Sequence, residues 1–257
     1  MRGIPSALFS ATAYALFLAT FLYAIGFVEN VLVPKSIDTG AAEALATAVA
    51  INLALLGVFA LQHTIMARPR FKRALTRFVP TAIERSIFVT AASLALVLVM
   101  WQWRPIPALI WSVETPALAA SITALSWAGW GLVLASTFLI SHFHLFGLSQ
   151  GFARVLNLAP DVSDQKLVTP LFYRWVRHPL YAGFIIAFWA APHMSLGHLL
   201  FASATSGYIL IGIWFEERDL VAHFGARYET YRAQVGMLFP KLFSDSKKGR
   251  AHVQPHR

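Results

Sequence analysis

The sequence predicts an all-α fold, a polytopic helical membrane protein of about five to six membrane segments including a C-terminal helical hairpin. Three observations carry that prediction. The chain is 57% hydrophobic and 13% charged, against about 45–50% apolar and about 25% charged for a soluble domain. Its apolar residues gather into runs of span length separated by short polar loops, and its two densest late polar clusters flank an apolar stretch that must return to the side on which it began.

The first run, residues 7–33, is too long for the apolar region of a signal peptide and is followed by no clear cleavage site, so it reads as a retained span. Further spans are expected over residues 44–66, 83–103 and 117–148. The loop over residues 67–85 carries Arg68, Arg70, Lys72, Arg73, Arg77 and Arg85, whereas the loops on either side of it carry one basic residue each. The positive-inside rule therefore places this loop, the N-terminus and the segment after the fourth span in the cytoplasm. The net charge of +9 reads as topology and lipid-headgroup contact rather than nucleic-acid binding, since no nucleic-acid motif accompanies it. Thr81 and Glu84 have capping-box spacing at the head of the third span. Trp101, Trp103 and Trp111 are expected as interfacial anchors at the outer boundary.

After the fourth span, Thr169-Pro170 reads as the start of a short helix over residues 171–177, stopped by Pro179. The apolar segment to residue 190 is about 18 Å long as a helix and cannot comfortably cross alone. A turn at residues 192–197 and a longer return helix over 198–215 complete a hairpin with a pocket at its mouth. The expected organisation is a four-span bundle over 1–150, a hairpin and cytoplasmic helix over 151–243, and a disordered basic tail over 244–257.

With no cysteine in the chain, disulfides, thiolate metal sites and a cysteine nucleophile are excluded. His142 and His144 are two residues apart, which places their rings on different helical faces, and no His-Glu-x-x-His motif accompanies them, so no metal site is expected. A Gly-x-Gly-x-x-Gly turn between strand and helix is also missing, so any nucleotide-like cofactor must be held by membrane helices.

The two late clusters are Arg177-His178-Pro179-Leu180-Tyr181-Ala182-Gly183 and Glu216-Glu217-Arg218-Asp219-Leu220, followed by Phe224-Gly225, Tyr228, Tyr231 and Pro240. This order resembles the C-terminal signature of the isoprenylcysteine carboxyl methyltransferase superfamily. Leu61-Gln62-His63-Thr64, Val79-Pro80-Thr81, Trp101-Gln102-Trp103-Arg104-Pro105 and Ser141-His142-Phe143-His144 are similar to the bacterial methanethiol S-methyltransferase family, with N-terminal spans also similar to NnrU-type proteins.

The resemblance implies an inner-membrane enzyme using S-adenosyl-L-methionine, with its site on the cytoplasmic side and methanethiol as the thiol accepted. Its partners would be that thiol and membrane lipid, and no protein partner is predicted. Glu216 and Glu217 would accept hydrogen bonds from the ribose or amine, and Arg177, Arg218 or Arg232 would face the carboxylate through a planar fork. Tyr181, Tyr228 and Tyr231 would offer aromatic faces to the adenine or sulfonium, and Gly183 would permit close backbone approach. Each of these has a plainer reading: helix packing for Tyr181 and Gly183, a solvated helix end for the charges, and interfacial anchoring for Tyr228 and Tyr231.

A thiol acceptor must become a thiolate, and His178 is the leading catalytic candidate, followed by His63, His142 and His144. His178 has a second reading, as a cofactor ligand. Phe143, Phe146, Phe172 and Trp175 are expected to restrict acceptor size. Two rivals remain: a lipid or isoprenylcysteine carboxyl methyltransferase, and an NnrU-like transport or assembly protein without methyl-transfer chemistry.

Overall fold

A computed structural model describes residues 3–41, 43–153, 155–156 and 169–241. The tail over 244–257 lies outside the described residues. Among the described residues, five helices are long and apolar enough to cross a membrane: α1 (Ile4–Glu29), α2 (Leu45–Ala67), α4 (Thr81–Gln102), α5 (Pro116–Ile140) and α9 (Leu196–Phe224). Short α3 (Pro69–Leu75) follows α2, α6 (His142–Leu145) and α7 (Leu148–Phe152) follow α5, and α8 (Pro179–Trp189) is the short arm of the hairpin with α9. Helix α10 (Ala226–Gln234) closes the order. The chain is a multi-pass helical membrane protein.

The helices form a ring in the order α5, α8, α9, α2, α4 and α1. The tightest seam joins α5 to α8. A Cβ added at Gly183 would lie 2.7 Å from the carbonyl oxygen of Gly129, and one added at Gly129 would lie 2.7 Å from the backbone nitrogen of Ala187. Mutual glycines bring these two backbones together, as small residues do in lipid, where packing rather than water exclusion drives association. Gly183 is therefore filled by a neighbouring helix rather than by a ligand.

Several boundaries differ from expectation. Thr81 is the first residue of α4, after Pro80 at the N-cap, and no side-chain capping bond forms. Proline at the cap leaves the hydroxyl one position too far into the helix to serve as the box requires. The fourth span ends at Ile140 instead of reaching residue 148, because Ser141 adopts φ 140° and breaks the helix into α5 and α6. The segment after Pro170 is a single 3₁₀ turn, Leu171–Arg174. Helix α9 continues to Phe224, so Glu216, Glu217 and Arg218 lie within its last turns rather than beyond it.

The hairpin turn also contains a short antiparallel pairing between β1 (Leu109–Ser112) and β2 (His193–Ser195). It ties the loop before α5 to the tip of the hairpin. Ser195 caps α9 by accepting from the His198 backbone N–H at 3.0 Å, and its hydroxyl donates to Asp38. Trp103 is fully buried and donates from Nε1 to the Ile37 carbonyl at 3.1 Å. It is a core residue, not an anchor, whereas Trp101 is exposed as expected.

Candidate active site

The ends of α8, α9 and α10 meet at one end of the bundle, the mouth. His178 is the N-cap of α8, placed by the Pro179 that begins the helix. The strand-like segment after α10 locks it there: Arg177 N–H donates to Gly236 O at 2.8 Å and His178 N–H to Met237 O at 3.1 Å. A side chain at Gly236 would strike the Phe239 carbonyl at 1.8 Å, so only glycine allows this return.

Arg177 and Glu217 form the central ion pair, Nε to Oε1 at 2.7 Å, with side chains only 8% and 13% exposed. Arg177 also donates to the carbonyls of Arg232 and Val235, joining α8 and α9 to the end of α10. His178 is buried, with Nε2 3.2 Å from Glu217 Oε1 and Nδ1 3.8 Å from Glu216 Oε2. Arg232 Nη1 stands 4.0 Å from Glu217 Oε2. Glu217 is thus committed to protein partners, while Glu216, 45% exposed at its side chain, walls the cavity described next.

That cavity, about 590 Å³ in volume, begins at Glu216, His178 and Tyr181 and runs between the helices. Its walls include α1 residues from Phe17 to Val28 and α4 residues from Arg85 to Met100, spans of about 16 and about 22 Å at 1.5 Å per residue. His142 forms part of the wall near the mouth. Its Nε2 is 2.8 Å from Tyr14 Oη and its Nδ1 2.8 Å from Thr137 Oγ1, and burial lowers its pKa below the ordinary histidine value. His63 lines the cavity from α2, edge-on to Phe88, with Nδ1 lacking a partner among the described residues.

The remaining sequence candidates divide. Tyr181 borders the cavity. Tyr228 is fully buried under the ion pair, its hydroxyl without a partner among the described residues, and its pKa is raised by burial first and by Glu217 second. Tyr231 donates to the Tyr173 carbonyl, and burial pushes its hydroxyl up to about 12. Arg218 points away over the Trp214 ring at 4.7 Å, and His144 is not among the cavity walls. Of the four aromatics expected to restrict acceptor size, Phe146 alone walls the cavity, stacked on Phe17 at 3.7 Å; Phe143 and Trp175 are exposed, and Phe172 is not a wall residue.

Sequence reasoning missed Tyr14, which supports the wall from behind, and Arg85, which belongs to it. Tyr14 holds His142 but lies in an apolar run with no local motif to mark it. Arg85 was counted among the loop charges; its Nε donates to Leu145 O at 2.7 Å and its guanidinium lies over Phe88, inside the cavity. Its position one turn into α4, rather than in the loop, was the available signal.

The chain is 53% identical over 235 residues to methanethiol S-methyltransferase 1 of Bradyrhizobium diazoefficiens, covering 91% of this chain and 81% of that protein. It is 50% identical over 240 residues to methanethiol S-methyltransferase of Mycobacterium tuberculosis, covering 93% and 98%. Human Nurim is 28% identical over 178 residues, 66% of each chain. No family model matches the chain, and no solved structure matches it.

Proposed function

The chain belongs to the methanethiol S-methyltransferase family, and from that premise we propose that it transfers a methyl group from S-adenosylmethionine to methanethiol, giving dimethyl sulfide, at the cytoplasmic mouth of its central cavity in the bacterial inner membrane. The observation that carries this reading is the cavity itself, which joins a carboxylate, histidine and aromatic mouth to an almost wholly apolar interior.

The residues present fit the donor. Glu216 is a carboxylate on the cavity wall, approached among the described residues by His178 at 3.8 Å and by the Tyr181 hydroxyl, and able to accept from a ribose diol or an amine. Arg177 also lines the cavity, but its Nε and Nη1 are engaged by Glu217 and two carbonyls, and Arg218 faces elsewhere. Arg85, whose Nε alone has a partner, is a second arginine able to meet a carboxylate inside the cavity. Tyr181 adds an aromatic face suited to a cation. When bound, S-adenosylmethionine supplies an electrophilic methyl on a positively charged sulfur.

Thiols are mostly protonated at neutral pH, so the chain must take up the proton. His178 performs this step: Glu217 fixes its Nε2 side and stabilises the imidazolium, leaving the Nδ1 side toward Glu216 and the cavity. His142, held through both nitrogens by hydroxyls, keeps the wall polar and positions the acceptor. The basic residues of the α3 region support a cytoplasmic mouth by the positive-inside rule.

The test is methyl transfer by the purified protein in lipid, with labelled S-adenosylmethionine and methanethiol. Labelled dimethyl sulfide in the headspace supports the reading; a label recovered only in lipid, or in no product, refutes it.

A further inference from the structure

We propose that the apolar end of the cavity is an acceptor-chain pocket, and that the enzyme methylates larger apolar alkyl thiols at least as efficiently as methanethiol; this rests on the thiol-methylating reading above. The first observation is extent. The cavity of about 590 Å³ must also take the methyl donor at its mouth, so the space that bears on the acceptor is the part beyond that mouth. Beyond the polar mouth the walls continue through Ala24, Phe27, Leu96, Met100, Trp130 and Phe201.

The second observation is chemistry. Trp130 turns its one polar atom outward, donating from Nε1 to Glu29 at 2.7 Å, so it presents only its ring to the cavity. Thr205 likewise returns its hydroxyl to Phe201 O. Apolar cavities of this kind stay dry and take up apolar molecules. Nothing in this region matches the charged and hydrogen-bonding groups of the methyl donor, whose partners are at the mouth.

The third observation is Thr20. It is 4% exposed, lines the cavity between mouth and apolar end, and its Oγ1 has no partner among the described residues. Its hydroxyl is a free donor on the path from the mouth, toward an acceptor sulfur held there whose chain extends past Ala24. Access fits the same class of molecule. Helices α1 and α5 are joined through Glu29, which accepts from Ser126 and Trp130, and through Phe21 edge-on to Trp130; elsewhere along this seam Leu18 and Leu134 wall the cavity while also being exposed on the bundle surface. An apolar thiol dissolved in lipid can enter between them.

The chemistry is unchanged: the thiol proton passes to His178, the sulfur gains the methyl as the donor's sulfur–methyl bond breaks, and the products are the methyl alkyl sulfide and S-adenosylhomocysteine.

The experiment compares methanethiol, butanethiol and octanethiol on the full chain in lipid, for the parent and for Ala24→Phe and Leu96→Phe, with thiol kcat/KM and cofactor affinity both measured. In the parent, kcat/KM is expected to rise with chain length, by up to about fourfold per buried methylene. Both variants should lose at least tenfold on octanethiol while retaining methanethiol turnover. Parent activity confined to methanethiol, equal losses on all three thiols in both variants with cofactor affinity intact, or methylation of membrane lipid instead of thiol each overturn the pocket. If the parent methylates no thiol at all, the function reading fails and the pocket fails with it.

Discussion

At the residue scale the two adjacent glutamates have different duties. Glu217 neutralises Arg177, a buried cation that also ties down two carbonyls of the closing segment. Removing one partner of such a pair leaves a buried charge uncompensated, so Glu217→Gln should destabilise the protein by about 3 kcal/mol, read by thermal unfolding in detergent. His178→Gln tests the proton acceptor. It should lower kcat by about a hundredfold, whereas His142→Gln should act mainly on the thiol KM. Equal kcat losses from the two substitutions would contradict this division. The sequence marked Arg177, His178 and both glutamates because they are polar residues flanking apolar runs. It could not separate the duties of neighbouring carboxylates, which depend on which way each side chain leaves the last turns of α9.

At the scale of elements, the α5–α8 seam is the part of the hairpin least tolerant of change. Gly183→Ala and Gly129→Ala each force a methyl against facing backbone and should cost about 1–3 kcal/mol. The measurement is again thermal unfolding, and cofactor affinity of the folded fraction should be unchanged for Gly183→Ala. A selective loss of affinity would return Gly183 to the cofactor. The first three spans were legible to within a few residues, because long apolar runs have one stable solution in lipid. What the sequence hid were features set by contacts distant in the chain. Trp103 reads as a boundary aromatic until the loop before α2 folds over it to accept its indole N–H. The pairing of β1 with β2 joins segments more than eighty residues apart and leaves no alternating pattern long enough to read. Ser141 broke the fourth span through its backbone conformation alone.

At the scale of the whole molecule, five apolar helices and a short hairpin arm enclose a cavity with a charged mouth at one end. Basic residues of the α3 region and the mouth cluster share that end, joined through Arg68 and Asp219 at 3.8 Å. The cysteine-free chain makes orientation directly readable. A Lys72→Cys variant should react with a membrane-impermeant maleimide only in inside-out vesicles, and a Thr115→Cys variant only in right-side-out ones; the reverse pattern would invert the topology. The central claim is that this mouth holds the methyl donor, and Glu216→Gln examines it most directly, since Glu216 walls the cavity without the buried arginine pair that Glu217 makes. The measurement is equilibrium binding of S-adenosylmethionine to the purified protein in lipid. Loss of a charge-assisted hydrogen bond should weaken binding about tenfold or more with thermal stability unchanged, and affinity equal to the parent's would contradict the placement of the donor at this mouth.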